Sequence, residues 1–499
     1  MKKNLLIFVF ILLNYLSTAQ SLFYKVYNYP NQVDFGCVVK HSSFGFIATA
    51  GGPGNLQYLV RTYDNGDTLW AKSYSNVSVY TRVIQTNDGG YMLSSSSGII
   101  KTNWLGNVSW AKQTASTLGP YVIRQTSDGG YIMTGGFLSP FVFKLNSNGD
   151  FVWEKFYNIY WTNGPGQGYT TDIQQTSDGG YIILGNTYMY GAGSSDYCLT
   201  RTDNAGNVLW YKTYGSTGQD LAEAMQITPD GGFVITGRTS SSGAGSSDMY
   251  VVKTDDNGNL MWSKTYGGSD SDYGTSISIT SDNGYLLCGP SYSFPGGPLN
   301  KVCVIKTDDL GSVSWSNAYM YSANTNMANA AQTASGGYII GGSYSFGPNG
   351  AIILIKTDTA GNIGCFQYPA PIIEGVPITQ VGSPNDTVYD FNDTLINMSV
   401  AVFSGLTISV PCITNLPEQT ESSIAIYPNP VSNKLTIEFA DDNFANEEYC
   451  IFNVYGQLVL KGEMRSRKND LDLSTLDDGV YIIDIKGVQS SLRKRIIKQ

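Results

Sequence analysis

Short apolar runs alternate with turn signals along most of this chain, and the 3.6-residue apolar stripe of a helix does not emerge. Lys253–Tyr285 shows the pattern. Asp255, Asn257 and Gly258 mark a tight turn into a strand that carries Trp262, and Asp282, Asn283 and Gly284 mark a second turn into a strand beginning at Tyr285. Glycine supplies the positive φ that such turns need, and Asn or Asp tolerates it. The unit recurs. One landmark is the aromatic after the turn glycine, at Phe46, Tyr91, Tyr131, Tyr181, Phe233, Tyr285 and Tyr338. The other is the strand tryptophan, at Trp70, Trp110, Trp153, Trp210, Trp262 and Trp315, with Cys365 in the seventh place. Two independent markers with one count predict seven repeats.

Each repeat reads as four strands: a weak alternating one such as Ser276–Thr280, one after the D-G-G-Y turn such as Phe233–Thr236, an apolar one such as Tyr250–Thr254, and the tryptophan strand such as Leu209–Tyr214. A four-stranded sheet cannot bury both faces alone, so its neighbours must cover it. Evenly spaced all-strand units favour closure into a ring, which needs no capping repeats. The expected fold is all-β, a seven-bladed β-propeller of four-stranded blades over 20–370 followed by a small C-terminal β-sandwich over 422–499. Phe23–Tyr27 mimics Trp210–Tyr214. It is expected to complete the last blade, or else to line the first as an extra edge strand; either placement hides an edge. Residues 371–421, punctuated by Pro371, Pro377 and Pro384, read as a linker or a small bridging β region.

The 499-residue composition refines this picture. Charged residues are 14%, while Gly reaches 56 and Tyr 35, which suits short strands and tight turns. A net charge of -10 excludes nucleic acid as a partner, since backbone binding needs a basic footprint. Residues 1–19 read as a secretory signal peptide, with Lys2 and Lys3 before the apolar Leu5–Leu13 run, which is too short to span a membrane. No other stretch reads as a transmembrane segment. The seven cysteines (Cys37, Cys198, Cys288, Cys303, Cys365, Cys412, Cys450) are odd in number and widely spaced, against both a disulfide scaffold and a zinc site; Cys288 and Cys303 fall on neighbouring strands and could pair.

Candidate chemistry is sparse. The sole histidine, His41, has no partners at motif spacing and reads as a surface turn residue. Asp88, Asp128, Asp178, Asp230 and Asp282 recur in the D-G-G turn; Asp196 matches Asp248 in G-A-G-S-S-D, and Asp220 matches Asp272. Residues that repeat with the architecture are read as structural, with the side chain accepting a turn amide. A glycosidase pair is instead unequal, and none is identifiable, so no residue is assigned a catalytic role. Asp255–Asn259 is weighed for calcium, but it lacks the twelve-residue ligand series and the closing glutamate, so a hairpin turn is preferred and no cofactor or metal is expected. The repeated tryptophans read as core between sheets. Recognition is assigned instead to aromatics that look unrepeated: Trp104, Tyr157, Tyr160, Trp161, Tyr188 and Tyr190.

Residues 424–499 resemble the C-terminal sorting domain of proteins exported by the type IX secretion system of the Bacteroidota. The resemblance rests on I-Y-P-N-P at 426–430, F-N-V-Y-G-Q-L-V at 452–459, L-D-L-S-T-L-D-D-G-V-Y at 471–481 and R-K-R-I-I-K-Q at 493–499. It implies a short β-sandwich that addresses the chain to the outer-membrane machinery and is usually removed. Pro428, Asn429, Pro430, Gly456, Gly479, Lys494 and Lys498 would belong to the sorting signal. The family often has an acidic residue where Asn453 and Val454 stand. Residues 22–369 look like secreted bacterial β-propeller repeats with T-x-D-G-G-Y and G-N-x-x-W-x-K-x-Y-G-G, a likeness informative for fold and poor for function.

The function expected is a secreted or cell-surface binding or scaffold module for an extracellular glycan or protein, exported across the inner and outer membranes. The alternatives are a polysaccharide-acting hydrolase or lyase using carboxylates at the propeller mouth, and a structural surface-layer component.

Overall fold

A computed structural model describes residues 22–498, except 29–33, 43–44, 53–55, 76–81, 96–97, 115–119, 136–140, 158–167, 295–299, 320–324, 347–348, 364–366, 383–387, 391–394, 398–401, 405–406, 413–423, 429–430, 440–446, 454–457, 465 and 487–490. The 1–19 leader lies outside the described residues.

The repeats form seven antiparallel sheets. Sheet 1 is Asp34–Ser42, Gly45–Gly52, Leu56–Thr62 and Thr68–Tyr74; sheet 2 is Arg82–Gln85, Tyr91–Ser95, Gly98–Thr102 and Val108–Thr114. Sheet 3 is Pro120–Gln125, Tyr131–Gly135, Phe141–Leu145 and Phe151–Tyr157. Sheet 4 is Tyr169–Gln175, Tyr181–Thr187, Asp196–Thr202 and Val208–Gly215; sheet 5 is Asp220–Ile227, Phe233–Thr239, Asp248–Thr254 and Leu260–Gly267. Sheet 6 is Ser276–Ile279, Tyr285–Ser291, Lys301–Thr307 and Val313–Tyr319. Sheet 7 takes Thr325–Gln332, Tyr338–Phe346 and Asn349–Thr357 from the last repeat, and its fourth strand is Phe23–Asn28 from the start of the chain, paired antiparallel to Asn349–Thr357. Of the two placements open to Phe23–Tyr27, the structure has the first.

The sheets have five strands rather than four. Residues 367–412 run back past the sheets in reverse order. Gln367–Pro369 adds to sheet 6, Ile373–Gly375 to sheet 5, Gln380–Gly382 to sheet 4 and Val388–Asp390 to sheet 3. Leu395–Asn397 then adds to sheet 2, Val402–Ser404 to sheet 1 and Thr407–Cys412 to sheet 7. Most of these strands are three residues long, too short to show an alternating pattern in sequence, and their pairing is to strands far upstream. Each covers an outer edge that would otherwise present unpaired amides and carbonyls.

The opposite edge of each sheet is its first strand. These first strands touch in succession, and Asp34–Ser42 touches both Arg82–Gln85 and Thr325–Gln332. Side chains from one sheet satisfy the free backbone of the next. Asn186 donates from Nδ2 to the Ala222 carbonyl at 3.1 Å and accepts the Ala222 amide at 2.6 Å. Gln174 binds the Met225 carbonyl at 2.7 Å, and Thr275 and Ser278 bind the carbonyls of Ala328 and Ala330 at 2.7 and 3.0 Å.

One clasp recurs between consecutive sheets. The tryptophan of one sheet meets the turn aromatic of the next edge-on or tilted, from Trp70 on Tyr91 at 5.8 Å between ring centroids to Trp315 on Tyr338 at 5.2 Å. The same tryptophan covers the glycine of the next sheet's D-x-x-G turn. Gly258, for example, has φ 73°, and a methyl group there would lie 2.8 Å from Trp210. A tyrosine four residues on donates to that glycine's carbonyl: Tyr74 to Gly106, Tyr157 to Gly206, Tyr214 to Gly258, Tyr266 to Gly311 and Tyr319 to Gly361. Thr114 takes the tyrosine position between sheets 2 and 3, where Lys112 binds the Gly149 carbonyl at 2.9 Å instead. Between sheet 7 and sheet 1, Phe23 replaces the tryptophan, packing on Phe46 and Gly66, and the Tyr27 hydroxyl donates to the Gly66 carbonyl.

Apolar clusters fill each seam. Val60, Ala48 and Phe46 of sheet 1 share one with Ile339, Ile352 and Leu354 of sheet 7. Cys288 lies in the cluster between sheets 6 and 7, whereas Cys303 faces sheet 5; both are free and buried, as are Cys198 and Cys450. Alternate strand positions face opposite sides of the sheet, which separates the two thiols that sequence spacing placed together.

The C-terminal region forms a three-stranded sheet (Ile424–Tyr427, Lys434–Phe439, Lys468–Asp472) and a four-stranded sheet (Leu458–Met464, Glu447–Asn453, Gly479–Lys486, Ser491–Lys498). Leu435, Ile437, Ile451, Leu471, Ile483 and Ile496 share one core between them.

Candidate recognition surface

Connections alternate between the two ends of an antiparallel sheet. The D-G-G and D-x-x-G turns of sheets 2 to 6 leave from one end, called lower here. The links between second and third strands, and from each sheet to the next, leave from the upper end.

The lower end is dominated by repeated structural chemistry. In the D-G-G turn, Asp230 Oδ1 accepts the Thr228 hydroxyl and the Gly232 amide while Oδ2 pairs with Lys253 at 2.8 Å. Lys101–Asp88, Lys144–Asp128, Arg201–Asp178 and Lys306–Asp282 repeat the pairing. Asp255 Oδ1 accepts the amides of Asn257 and Asn259 at 2.9 and 2.7 Å, so its oxygens serve the hairpin turn. A groove of about 320 Å³ opens at the seam of sheets 2 and 3, which lacks the tyrosine clasp, and includes Asp88, Lys101, Trp110, Gln125 and Tyr131 in its lining. Trp104 is half-buried in the Asn103–Gly106 turn, also at the lower end.

The first strands, together with the upper end, carry groups that do not recur. Arg124 on the first strand of sheet 3 pairs with buried Asp172 of sheet 4 at 2.8 Å, and the other Asp172 oxygen accepts the Met225 amide of sheet 5 at 3.2 Å. Arg82 of sheet 2 lies in the field of Asp172, Arg124 and Glu223, and enclosure by protein lowers its pKa. Burial pushes the Glu223 carboxyl up, against the pull of Arg238 and Arg82. The Arg238 guanidinium lies 4.7 Å over the Tyr273 ring. The Tyr169 and Tyr188 hydroxyls are raised chiefly by burial and eased by Arg238. Five charges and three phenols from sheets 2 to 5 and their links thus converge. The matching places in sheets 6 and 7 hold Ser276 or Thr275 and Asn329 or Ala328.

The sequence-selected aromatics separate. Tyr188 and Tyr190 are half-buried in the upper link before Asp196, and Tyr190 packs on the core between sheets 3 and 4. Tyr157 is fully buried with its hydroxyl 2.8 Å from the Gly206 carbonyl. It is the clasp tyrosine of sheet 3, so its selection as unrepeated surface is corrected: it recurs with Tyr74, Tyr214 and Tyr266. Tyr160 and Trp161 lie outside the described residues. The Arg82, Arg124, Asp172, Glu223 and Arg238 group was missed; its signal was an unrepeated charge on the first strands of sheets 2 to 5 and, for Arg238, near the end of the second strand of sheet 5.

Among sorting residues, Pro428 is exposed after the Ile424–Tyr427 strand, while Asn429, Pro430 and Gly456 lie outside the described residues. Gly479 is the strand partner of Lys498, whose buried amine lies 3.4 Å from Asp478. Lys494 pairs through its backbone with Ile483.

Residues 425–499 match the family described as secretion system C-terminal sorting domain. This is a type IX sorting domain, and it makes the chain a secreted or surface protein that meets the outer-membrane secretion machinery. Among the described residues no helix is long and apolar enough to cross a membrane. No curated protein matches the sequence. Solved structures give weak likenesses. PorZ, an essential surface component of the type-IX secretion system of Porphyromonas gingivalis, is 10% identical with a TM-score of 0.40, covering 93% of this chain and 59% of that one. The Pan2 WD40 domain of Neurospora crassa is 10% identical with a TM-score of 0.43, covering 66% and 91%. A Bacteroides caccae protein of unknown function is 11% identical with a TM-score of 0.35, covering 59% and 93%.

Proposed function

We propose that residues 20–412 form a closed seven-bladed β-propeller, strapped on its outer edges by 367–412, that binds an extracellular glycan or protein at its upper mouth. The sandwich near 422–499 is then the export address that delivers it across both membranes. The seam that joins sheet 7 to sheet 1 by the same clasp as the interior seams supports closure. The observation that carries the binding assignment is the convergence of Arg82, Arg124, Asp172, Glu223 and Arg238 with Tyr169, Tyr188 and Tyr273 in a fold whose other polar groups repeat. Repeated groups build the architecture, and a rigid scaffold bearing unrepeated charges and aromatics is suited to recognition. Arginines and phenols together fit a polyhydroxylated ligand bearing anionic groups.

The test is a glycan and cell-envelope array probed with the secreted full chain. Binding to an acidic polysaccharide is expected, weakened at least tenfold by R238A with Y188A and unchanged by W104A at the lower end. Absence of any bound component, or binding indifferent to R238A with Y188A, would overturn the assignment. A second reading, polysaccharide hydrolysis, draws on Glu223, whose raised carboxyl suits a general acid. It requires release of reducing ends that E223Q abolishes.

A further inference from the structure

Four carboxylates at the upper ends of sheets 4, 5 and 6 form two pairs that no basic side chain neutralises. Asp196 begins the third strand of sheet 4 and Asp220 the first strand of sheet 5. Asp248 and Asp272 hold the corresponding places one sheet on. All four residues are 1% exposed. Two glycines measure how close the partners lie. A methyl group on Gly215 would sit 1.8 Å from Asp196 Oδ1 and 2.7 Å from Asp220 Oδ2, so these oxygens are at most about 4.5 Å apart. A methyl group on Gly267 would sit 1.7 Å from Asp248 Oδ1 and 2.8 Å from Asp272 Oδ2, which sets the same bound.

Asp196 and Asp248 bond through the oxygen turned away from their partner, whereas Asp220 and Asp272 bond through the Oδ2 that faces it. Asp196 Oδ2 accepts the Gly193 amide at 3.2 Å, and Asp248 Oδ2 the Gly245 amide at 3.1 Å. Asp220 accepts the Ser216 amide at 2.7 Å and the Ser241 hydroxyl at 3.2 Å; Asp272 accepts the Gly268 amide at 2.8 Å and the Ser293 hydroxyl at 2.6 Å. What remains is Asp196 Oδ1, Asp248 Oδ1 and Asp272 Oδ1, each buried without a hydrogen-bond partner. Among the described residues no lysine or arginine forms an ion pair with any of the four. Two carboxylates this close in a low-dielectric setting cannot both stay charged and unpaired.

We propose that each pair holds one divalent cation of the calcium class, one between Asp196 and Asp220 and one between Asp248 and Asp272. The donors are hard oxygens. The Ser216 and Gly268 carbonyls lie 2.3 and 2.8 Å from the methyl positions of Gly193 and Gly245, the glycines whose amides bond Asp196 and Asp248. Carboxylate and backbone oxygen together suit calcium, which accepts irregular shells of six to eight oxygens, better than magnesium or zinc. The sequence supports two equivalent sites because G-A-G-S-S-D occurs twice, at 191–196 and 243–248. Each cation ties an upper link to the start of the next sheet, and the first link also carries Tyr188 and Tyr190.

The full secreted chain, stripped with EGTA and dialysed, provides the test. Isothermal titration with calcium chloride is expected to give two ions per chain, with magnesium at least tenfold weaker, and calcium is expected to raise the melting temperature by several degrees. D196N and D248N are each expected to leave one ion per chain, and the double variant none. If the variants fail to fold, metal content of the purified wild type and terbium luminescence displaced by calcium decide the matter. Calcium-independent melting with no bound ion, or stability that responds only to acid as a shared proton would dictate, overturns the proposal. Neither outcome depends on whether a glycan binds.

Discussion

The Phe23 ring lies 6.2 Å from the Phe46 ring, centroid to centroid, and so joins the chain's first strand, the fourth of sheet 7, to sheet 1. Phe23 does what Trp70 to Trp315 do elsewhere, in the sheet whose own repeat has Cys365 at the tryptophan position. Lys25 continues the clasp by pairing with Asp67 at 2.5 Å. The closing seam is therefore made by non-contiguous parts of the chain using the chemistry of the contiguous seams.

Phe23→Ala is expected to cost about 3–5 kcal/mol, as for a large buried aromatic truncated in a core. Tyr27→Phe is expected to cost about 1 kcal/mol, because the Gly66 carbonyl loses its donor. Urea unfolding should place Phe23→Ala level with Trp210→Ala. A Phe23→Ala effect near zero beside a large Trp210→Ala effect would mean that the seventh and first sheets do not support one another in solution.

Gly258 and Gly179 separate backbone strain from crowding. Both have positive φ, 73° and 86°. A methyl group at Gly258 meets Trp210 at 2.8 Å, whereas at Gly179 nothing lies within 4 Å. Gly179→Ala is expected to cost about 1 kcal/mol from the φ requirement alone. Gly258→Ala should cost roughly 2–4 kcal/mol, since displacing the indole adds an overpacking cost. Thermal melts of the two variants check the order.

The D-G-G turns set an acid limit. Burial opposes ionisation of Asp128, Asp230 and Asp282, but bonds from the basic strand residue, the turn threonine and the glycine amide outweigh it and hold each at about 2; Thr176 and Arg201 hold Asp178 at about 2. These carboxyls sit below their unperturbed value of 3.8, so the folded chain binds fewer protons than the unfolded one between the two values. The stabilisation is therefore complete above about pH 4 and is lost as pH falls toward 2. Urea midpoints measured from pH 7 to 2 should fall across that window. The fourfold Asp→Asn variant at 128, 178, 230 and 282 should start lower and fall less.

Repetition made the seven sheets legible, because the glycine-aromatic turn and the tryptophan strand are local signals, the first present seven times and the second six. Phe23–Tyr27 was legible by likeness to Trp210–Tyr214. The fifth strands were not: Gln380–Gly382 is three residues long, and its only requirement is to follow the edge of Val208–Gly215. Tyr157 misled for a related reason. Its neighbours Asn158–Gly168 break the spacing, which hid that it occupies the place of Tyr214. Glu223 was passed over because a charge on a weak first strand looks like solvent-facing polarity until the neighbouring first strands are placed against it, and Arg238 because it stands near the end of the next strand, Phe233–Thr239, with nothing in the sequence to pair it with Glu223.

The outer strands yield the last expectation. Ile373–Gly375 and its six counterparts cover edges that would otherwise offer backbone groups to another chain, and edge strands so exposed pair readily. The segment also brings exposed apolar side chains, with Val376 and Ile378 at 80% and 82% exposure, so its retention is not explained by apolar burial alone. A chain ending at 412 keeps all seven strands, and one ending at 363 loses them all. Light scattering should find the longer form no larger than the full-length protein and the shorter one in higher-mass species that bind thioflavin. Introducing Pro at Val381, opposite Tyr214 in the ladder, should produce a partial effect confined to sheet 4. If the 363 form remains as soluble and as small as the 412 form, the seven outer edges need no cover and edge protection is not what holds 367–412 against the sheets.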